Sequence, residues 1–307
     1  MSGENVLVLC SSGKIDGNVC LALAQSEFDV DGTTRSQSSH LSSIGATPVL
    51  ADYTKRTDLD RAFTETQAKK VFVLTDYFRA AKKSVDLEVA QGKSAIDAAK
   101  EAGIDHIIFM SVADAEHFDD KTHHIKAKVV LENYLRQSGL KFTILRPCAF
   151  FENLDDAANW NLLKKGKVSF LTDKECKFCS TYDIGRAAAV VFRNPDAWHG
   201  QSLDIVGWKG DLAAMASALE KVSGSRVRPQ LAMPIVLRRL LLNDLHHMCL
   251  YFEEQGISAE PEAFKTVIPD PLSADDWFRF HHRYANGEPI IPQDSRSNSL
   301  SPICLLI

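Results

Sequence analysis

No run of eighteen apolar residues occurs in this 307-residue sequence, so it predicts no membrane-spanning helix. Its opening, MSGENVLVL, lacks the basic segment and long apolar stretch of a secretory signal. Residue 2 is Ser, not the Gly that N-myristoylation needs. A basic excess is missing too: 35 Lys and Arg stand against 40 Asp and Glu, a net charge of −5, with nothing spare to offset nucleic-acid phosphates. Seven thinly spread cysteines, an odd number, argue against a secreted disulfide framework. Hydrophobic residues at 45% and charged residues at 24% exclude a collagen, a coiled coil and a mostly disordered chain. These absences predict a cytoplasmic protein that makes no direct contact with nucleic acid.

What is present is alternation. Short β-like runs at Val6–Leu9, Phe28–Thr34, Pro48–Ala51, Val71–Thr75, His106–Ser111 and Phe142–Leu145 are separated by amphipathic stretches at Asn18–Gln25, Asp58–Glu65, Val85–Ala102 and Thr122–Gln137. Strands alternating with helices imply βαβ crossovers and hence a parallel sheet covered on both faces. The predicted fold class is α/β, a doubly wound parallel Rossmann sheet with a smaller, mostly helical C-terminal lobe. Residues 4–153 form the Rossmann domain, and 180–206, with a helix at Thr181–Arg193 and a strand at Ser202–Val206, return to it. Residues 154–179 and 207–285, with helices at Asp211–Val222, Pro234–Gln255 and Ala274–Tyr284, form a lobe expected to close a ligand cleft. The Pro-, Ser- and Asn-rich stretch 286–307 reads as a flexible tail.

Directly after the first strand stands Cys10-Ser11-Ser12-Gly13-Lys14-Ile15-Asp16-Gly17, followed by a helix. Dinucleotide loops need a tight turn, close backbone approach to pyrophosphate, and a helix N-terminus aimed at the phosphates. The placement matches, with residue 17 opening the helix, although only two of the usual glycines are there. Such folds read the adenosine ribose about 20 residues past the loop, by an acid for NAD or an Arg for the 2′-phosphate of NADP. Arg35 occupies that spot and favours NADP(H) over NAD(H).

Three longer stretches carry a more specific resemblance: DLEVAQGKSAIDAAKEAGIDHIIFMS (86–111), HIKAKVVLENYLRQSGLKFTILRPCAFFENL (124–154) and YDIGRAAAVVFRNPDAWHGQSLDI (182–205). Over roughly residues 4–285 the sequence resembles the NmrA-like proteins, atypical members of the short-chain dehydrogenase/reductases. That family includes NADP-binding redox sensors without demonstrated turnover, transcriptional co-regulators, and reductases. The resemblance implies a phosphate loop at Cys10, Ser11, Ser12, Gly13, Lys14 and Ile15, with Arg35 on the 2′-phosphate. It implies Asp52, Tyr53, Thr75, Asp76 and Tyr77 beside the adenine half, and Lys93 and Lys128 facing the ribose and nicotinamide. Phe150, Phe151, Glu152 and Asn153 would line the nicotinamide and the cleft. The sequence departs from the pattern at Cys10 and Asp16, which stand where glycines are usual. Asp16 either repels pyrophosphate or serves as N-cap of a helix beginning at Gly17.

Ordinary short-chain dehydrogenases carry Tyr-x-x-x-Lys on a helix, one face presenting both side chains. Here the pair is His124 and Lys128, so the Tyr is absent. The expected division of labour has Lys128 holding the cofactor and His124 acting as at most a weak acid; the alternative for His124 is a surface residue beside His123. Ser111 ends the fifth strand at the remaining short-chain dehydrogenase position. Cys176-Lys177-Phe178-Cys179 is a C-x-x-C without a second ligand pair, read as coincidence in a lobe loop, and no metal site is expected. The pairs His246-His247 and His281-His282 read as partly exposed structural residues. The last four residues, Cys304-Leu305-Leu306-Ile307, have the form of a prenylation signal; membrane association would come only through a lipid on Cys304.

The function expected is that of an NADP(H)-binding redox sensor or regulator with little or no turnover, with a protein partner or a small-molecule ligand in the cleft. Two alternatives stay open: an NADPH-dependent reductase of a small carbonyl or quinone, and a scaffold that has lost cofactor binding.

Overall fold

The computed structural model describes residues 4–9, 14–26, 28–36, 39–155, 163–164 and 166–281. The chain opens with β1 (Asn5–Val8), α1 (Lys14–Ala24), β2 (Asp29–Thr34), α2 (Ser39–Ser43), β3 (Ala46–Leu50) and α3 (Arg56–Thr66). It continues through β4 (Lys70–Val73), α4 (Val85–Glu101), β5 (His106–Met110), α5 (His123–Gln137) and β6 (Phe142–Pro147). Four short strands follow: β7 (Ala149–Phe150), β8 (Leu163–Lys164), β9 (Lys167–Phe170) and β10 (Cys176–Cys179). Next come α6 (Thr181–Arg193), α7 (Pro195–Trp198), β11 (Ser202–Ile205), β12 (Trp208–Gly210), α8 (Leu212–Ser223) and β13 (Arg228–Leu231). The described chain finishes with α9 (Ile235–Leu241), α10 (Asn243–Glu254), α11 (Pro261–Lys265) and α12 (Ala274–His281).

A seven-stranded parallel sheet runs in the order β11-β6-β5-β4-β1-β2-β3. Its middle strands are apolar because helices cover both faces: every residue of β4 and β5 is buried, as are Val6, Leu7 and Val8 of β1. The outer strand β3 is mostly exposed and accommodates Pro48, which an interior strand would not. The strand order reverses between β1 and β4, and in open sheets of this type the crevice beyond the C-terminal strand ends at that point receives ligands. On the covering layer, the buried Asn18 amide of α1 donates to Thr181 Oγ1 of α6 at 2.6 Å. The two helices approach so closely at Gly185 that a Cβ there would lie 2.6 Å from the Ala22 Cβ.

The chain divides into two compact units. The first comprises the residues up to Ala115, His124–Pro147 and Thr181–Asp204; the second comprises Glu116–His123, Cys148–Ser180 and the chain from Ile205 on. The division follows Pro147, not residue 153, because β7 pairs with β10 of the second unit. Besides its helices, that unit holds two three-stranded sheets, β12-β10-β7 and β13-β9-β8.

Four local expectations are corrected. Helix α1 begins at Lys14, so Asp16 is its third residue and not its N-cap. Cys176–Cys179 is strand β10, not a loop, because it supplies the middle of a sheet. The helix expected over Pro234–Gln255 is two helices broken at Leu242 (φ −132°, ψ 53°), where Asn243 and Asp244 start a new helix in the manner of N-terminal residues. The short α2 is an addition. Residues 282–307, with His282 and Cys304, lie outside the described residues, as does the side chain of His281.

Candidate functional site

The site is built from the turns that follow β1 to β5, all of which point their C-terminal ends to one edge of the parallel sheet. After β1, the Leu9 amide donates to Phe72 O at 3.0 Å, carrying the sheet pairing up to the loop. Cys10, Ser11, Ser12 and Gly13 lie outside the described residues, as do the side chains of Lys14 and Asp16. Ile15 is buried in the first turn of α1 and serves as a packing residue. Beyond β2, the Thr34 hydroxyl donates to Ser36 O at 2.8 Å and shapes a turn. Arg35 sits in that turn, exposed, with no hydrogen bond or ion pair among the described residues.

The turns after β3 and β4 are tied together. Asp52 Oδ1 accepts from the amide and hydroxyl of Thr54, and its own amide donates to Asp58. The buried Tyr53 accepts the Asp76 amide on its phenolic oxygen at 3.2 Å. Asp76 Oδ1 accepts the amides of Phe78 and Arg79 at 3.0 Å each, which folds the segment after β4 into a turn. Two consecutive residues at its end, Lys82 and Lys83, hold φ of 50° and 61°, a conformation that costs a side-chain-bearing residue about 1 kcal/mol or more. Ser84 then caps α4 by accepting the Leu87 amide.

At the centre of this edge lies a buried ion pair. Lys128 Nζ of α5 is 2.9 Å from Glu88 Oε1 of α4, 2.7 Å from Thr75 Oγ1 and 2.9 Å from Thr75 O. The Thr75 hydroxyl donates to Glu88 Oε1 at 2.6 Å. An ammonium has three N–H donors, and these contacts match all three. Glu88 was not anticipated as a site residue. Its signal is an acid on the helix face shared with Gly92, Ala95, Ile96 and Ala99, all buried, where a carboxylate needs a cation.

His124 is not a surface residue. It is buried, with its ring centroid 5.6 Å from that of Phe78 and 6.2 Å from that of Tyr77. Ser111 is fully buried at the end of β5, and its Oγ has no hydrogen-bond partner among the described residues. Lys93 stands apart from this group. Its ammonium lies 4.8 Å from the centroid of the Tyr134 ring, and that phenol donates to Asp97 further along α4.

Phe150, Phe151, Glu152 and Asn153 belong to the second unit. Phe151 is fully buried and stacked between Phe178 at 5.4 Å and Trp277 at 5.6 Å, a core ring of that unit. Glu152 Oε1 accepts from the Ser180 hydroxyl and the Trp277 indole. Phe150 is fully buried, and neither polar atom of the Asn153 side chain has a partner among the described residues. Both C-x-x-C thiols are buried, positions i and i+3 of a strand face opposite ways, and burial raises the Cys176 pKa. His246 is buried rather than partly exposed, and its Nδ1 accepts from Arg238 Nε at 3.2 Å. Burial and the Arg238 charge hold its pKa below the usual histidine value. His247 pairs with Asp119 at 2.8 Å. Among the described residues no group of three or more His, Cys, Asp or Glu could hold a metal ion, and no helix is long and apolar enough to cross a membrane.

With this geometry established, comparison with known proteins is informative. The family model described as the NmrA-like family matches residues 2–274. The chain belongs to the NmrA-like family. A curated relative, prestalk A differentiation protein A of Dictyostelium discoideum, is 26% identical over 150 residues, 48% of this chain and 47% of the relative. The match thus spans about half the length of that relative. Among solved structures, NmrA, a negative transcriptional regulator in complex with NADP, is similar with a TM-score of 0.71 and 18% identity, covering 92% of this chain and 96% of the other. Triphenylmethane reductase of Citrobacter sp., complexed with NADP(H), has a TM-score of 0.69 at 18% identity, covering 89% and 98%. These likenesses establish that this NmrA-like chain shares their fold.

Proposed function

We propose that this NmrA-like protein binds NADP(H) along the C-terminal edge of its parallel sheet and acts as a sensor or regulator of cofactor state with little or no turnover. The observation that carries this reading is the engagement of Lys128. Its ammonium is committed to Glu88 and Thr75, and the residue four positions earlier is His124 instead of the Tyr that such a lysine activates. The nicotinamide, when bound, supplies hydride chemistry; the position from which a tyrosine would move the accompanying proton is held by His124.

Cofactor binding has its own support. Helix α1 begins at Lys14, shortly after β1 ends at Val8, and a helix N-terminus after the first strand is suited to hold phosphates. Arg35 offers a guanidinium without a partner among the described residues, at the place where a 2′-phosphate is read. Buried Ser111 Oγ is an orphaned polar atom on the same edge, a group that a polar ligand would satisfy. Lys128 is engaged with Glu88 and Lys93 lies over Tyr134, whereas Arg35 is open, which supports its assignment to the 2′-phosphate. The regulatory output is assigned to a protein partner, since the net charge of −5 gives no basis for contact with nucleic acid.

Titrating the purified chain with NADPH and NADH by calorimetry tests the reading, followed by a panel of carbonyl and quinone substrates on the same sample. NADPH should bind more tightly than NADH, and Arg35→Ala should weaken NADPH by about tenfold while leaving NADH unchanged, as expected for one charge-assisted contact. No binding of either at millimolar concentration would identify a scaffold. The second reading, a reductase, rests on buried His124 at the same edge. NADPH oxidation that disappears in His124→Ala would establish it in place of the sensor.

A further inference from the structure

Helix α9 reverses the order expected of a surface helix. Its charged Arg238 is fully buried, whereas Ile235, Val236, Leu237, Leu240 and Leu241 are between 44% and 71% exposed. The reversal is held in place by chemistry. Arg238 donates to Leu171 O at 2.7 Å, to Glu253 Oε1 at 2.8 Å and to His246 Nδ1 at 3.2 Å. Rolling the helix to hide the leucines would withdraw the guanidinium and leave Glu253 and the Leu171 carbonyl without it, which buried polar groups resist. The aliphatic side chains are therefore fixed facing outward as a ridge. Contiguous exposed apolar surface of this kind marks an interaction site.

Charge identifies the occupant. From Val222 to Asn243 the sequence has no Asp or Glu, yet it contains Arg226, Arg228, Arg238 and Arg239. Arg226, Arg228 and Arg239 are exposed, and none of their guanidinium groups makes a hydrogen bond or ion pair among the described residues. In a chain of net charge −5 this is a local inversion of sign. A symmetric contact with a second copy would set this basic segment against itself, and like charges across an interface are costly. Aliphatic side chains that share their helix with unpaired Arg239, and are preceded in the sequence by unpaired Arg226 and Arg228, instead match the boundary between acyl chains and anionic headgroups.

We propose that α9 is an interfacial docking ridge for an anionic bilayer surface, with Leu240 and Leu241 entering the acyl boundary and Arg239, with Arg226 and Arg228 of the preceding segment, meeting the headgroups. A helix of seven residues gives a reversible attachment. The ridge stands independently of any lipid at Cys304, and with one it would complete the pair of signals that stable anchoring requires.

The test uses the full chain carrying Cys304→Ser, which removes lipidation as a variable. It is sedimented with phosphatidylcholine vesicles and with vesicles containing phosphatidylserine. Binding is expected to the phosphatidylserine vesicles alone and to weaken as salt rises. Leu240→Ser with Leu241→Ser should reduce it by about tenfold or more through lost apolar insertion. Arg226→Gln, Arg228→Gln and Arg239→Gln should each cost up to about fivefold, equivalent to roughly 1 kcal/mol per headgroup contact. These positions are exposed and remote from the cofactor residues in sequence, so unchanged circular dichroism melting shows that the fold survives. Absence of binding to phosphatidylserine vesicles, or equal binding by the double-leucine variant, overturns the proposal. So does a dimer in sedimentation velocity that the leucine substitutions dissolve while the vesicles stay bare.

Discussion

At the scale of single residues, what decides behaviour in this chain is where buried donors and acceptors find partners. In the sequence Lys128 is marked by its spacing from His124, whereas Glu88 is an acid on a mostly apolar helix face with no motif around it. Neither spacing nor composition shows that the two meet, because the contact joins α4 to α5. His106 illustrates the same principle with a measurable consequence. Thr143 donates its hydroxyl to Trp198 O at 2.8 Å, so its oxygen accepts from His106 Nε2 at 2.9 Å, and the ring is the Nε2–H tautomer. Nδ1 is buried without a partner among the described residues, and protonating it would bury an unsatisfied N–H. Burial pushes the pKa down from 6.5 to about 4, and the charges of Lys141 and Lys70 push the same way. Between those values the unfolded chain holds a proton that the folded chain refuses. The stability contribution is present above pH 6.5 and is lost as pH falls toward 4, by up to about 1.4 kcal/mol per pH unit. Urea midpoints measured from pH 7 to 4.5 should fall less steeply in His106→Gln than in the parent. Parallel curves would show that His106 titrates normally.

At the scale of elements, the strands were legible because parallel strands buried on both faces read as unbroken apolar runs, as in the VLV of β1, the VFV of β4 and the HIIFM of β5. The second unit was less legible. β7, β8 and β12 are only two or three residues long, too short for period-two alternation to register. The break between α9 and α10 is invisible in the sequence because the apolar pattern runs across it. Helix contacts are likewise invisible in sequence except where a glycine permits one. At Gly185 an added Cβ would lie 2.6 Å from the Ala22 Cβ and 2.9 Å from the Val19 Cα, and the latter is backbone that cannot swing aside. At Gly17, also helical, the nearest atom would be His40 Nε2 at 3.4 Å. Gly185→Ala should therefore destabilise by about 1–3 kcal/mol through overpacking. Gly17→Ala should be neutral or stabilising, since alanine gains helix propensity of up to about 1 kcal/mol. Denaturant midpoints with an unchanged slope would measure both, and equal effects at the two positions would refute the close approach of α1 and α6.

At the scale of the whole molecule, the strand order explains why residues as far apart in the sequence as Arg35, Thr75 and Lys128 belong to one edge: each follows a strand of one parallel sheet or sits on a helix packed against it. What topology does not convey is the state of each group at that edge. Arg35 stands open, Lys128 is engaged, and Lys93 is turned over Tyr134. That distribution favours binding over chemistry, but a sensor needs more than binding. A ligand shifts an equilibrium only by the difference in its affinity for the two states, so a protein that reports redox state must distinguish NADPH from NADP+. The two cofactors share the 2′-phosphate that Arg35 would read, which means that the discrimination must arise at the nicotinamide half of the site. Calorimetric dissociation constants for NADPH and NADP+ should accordingly differ by about tenfold or more, roughly 1.4 kcal/mol of coupling. Arg35→Ala should weaken both by a similar factor and leave their ratio unchanged. Equal affinities, accompanied by identical hydrogen-exchange protection in the two complexes, would eliminate the sensor role while leaving cofactor binding intact.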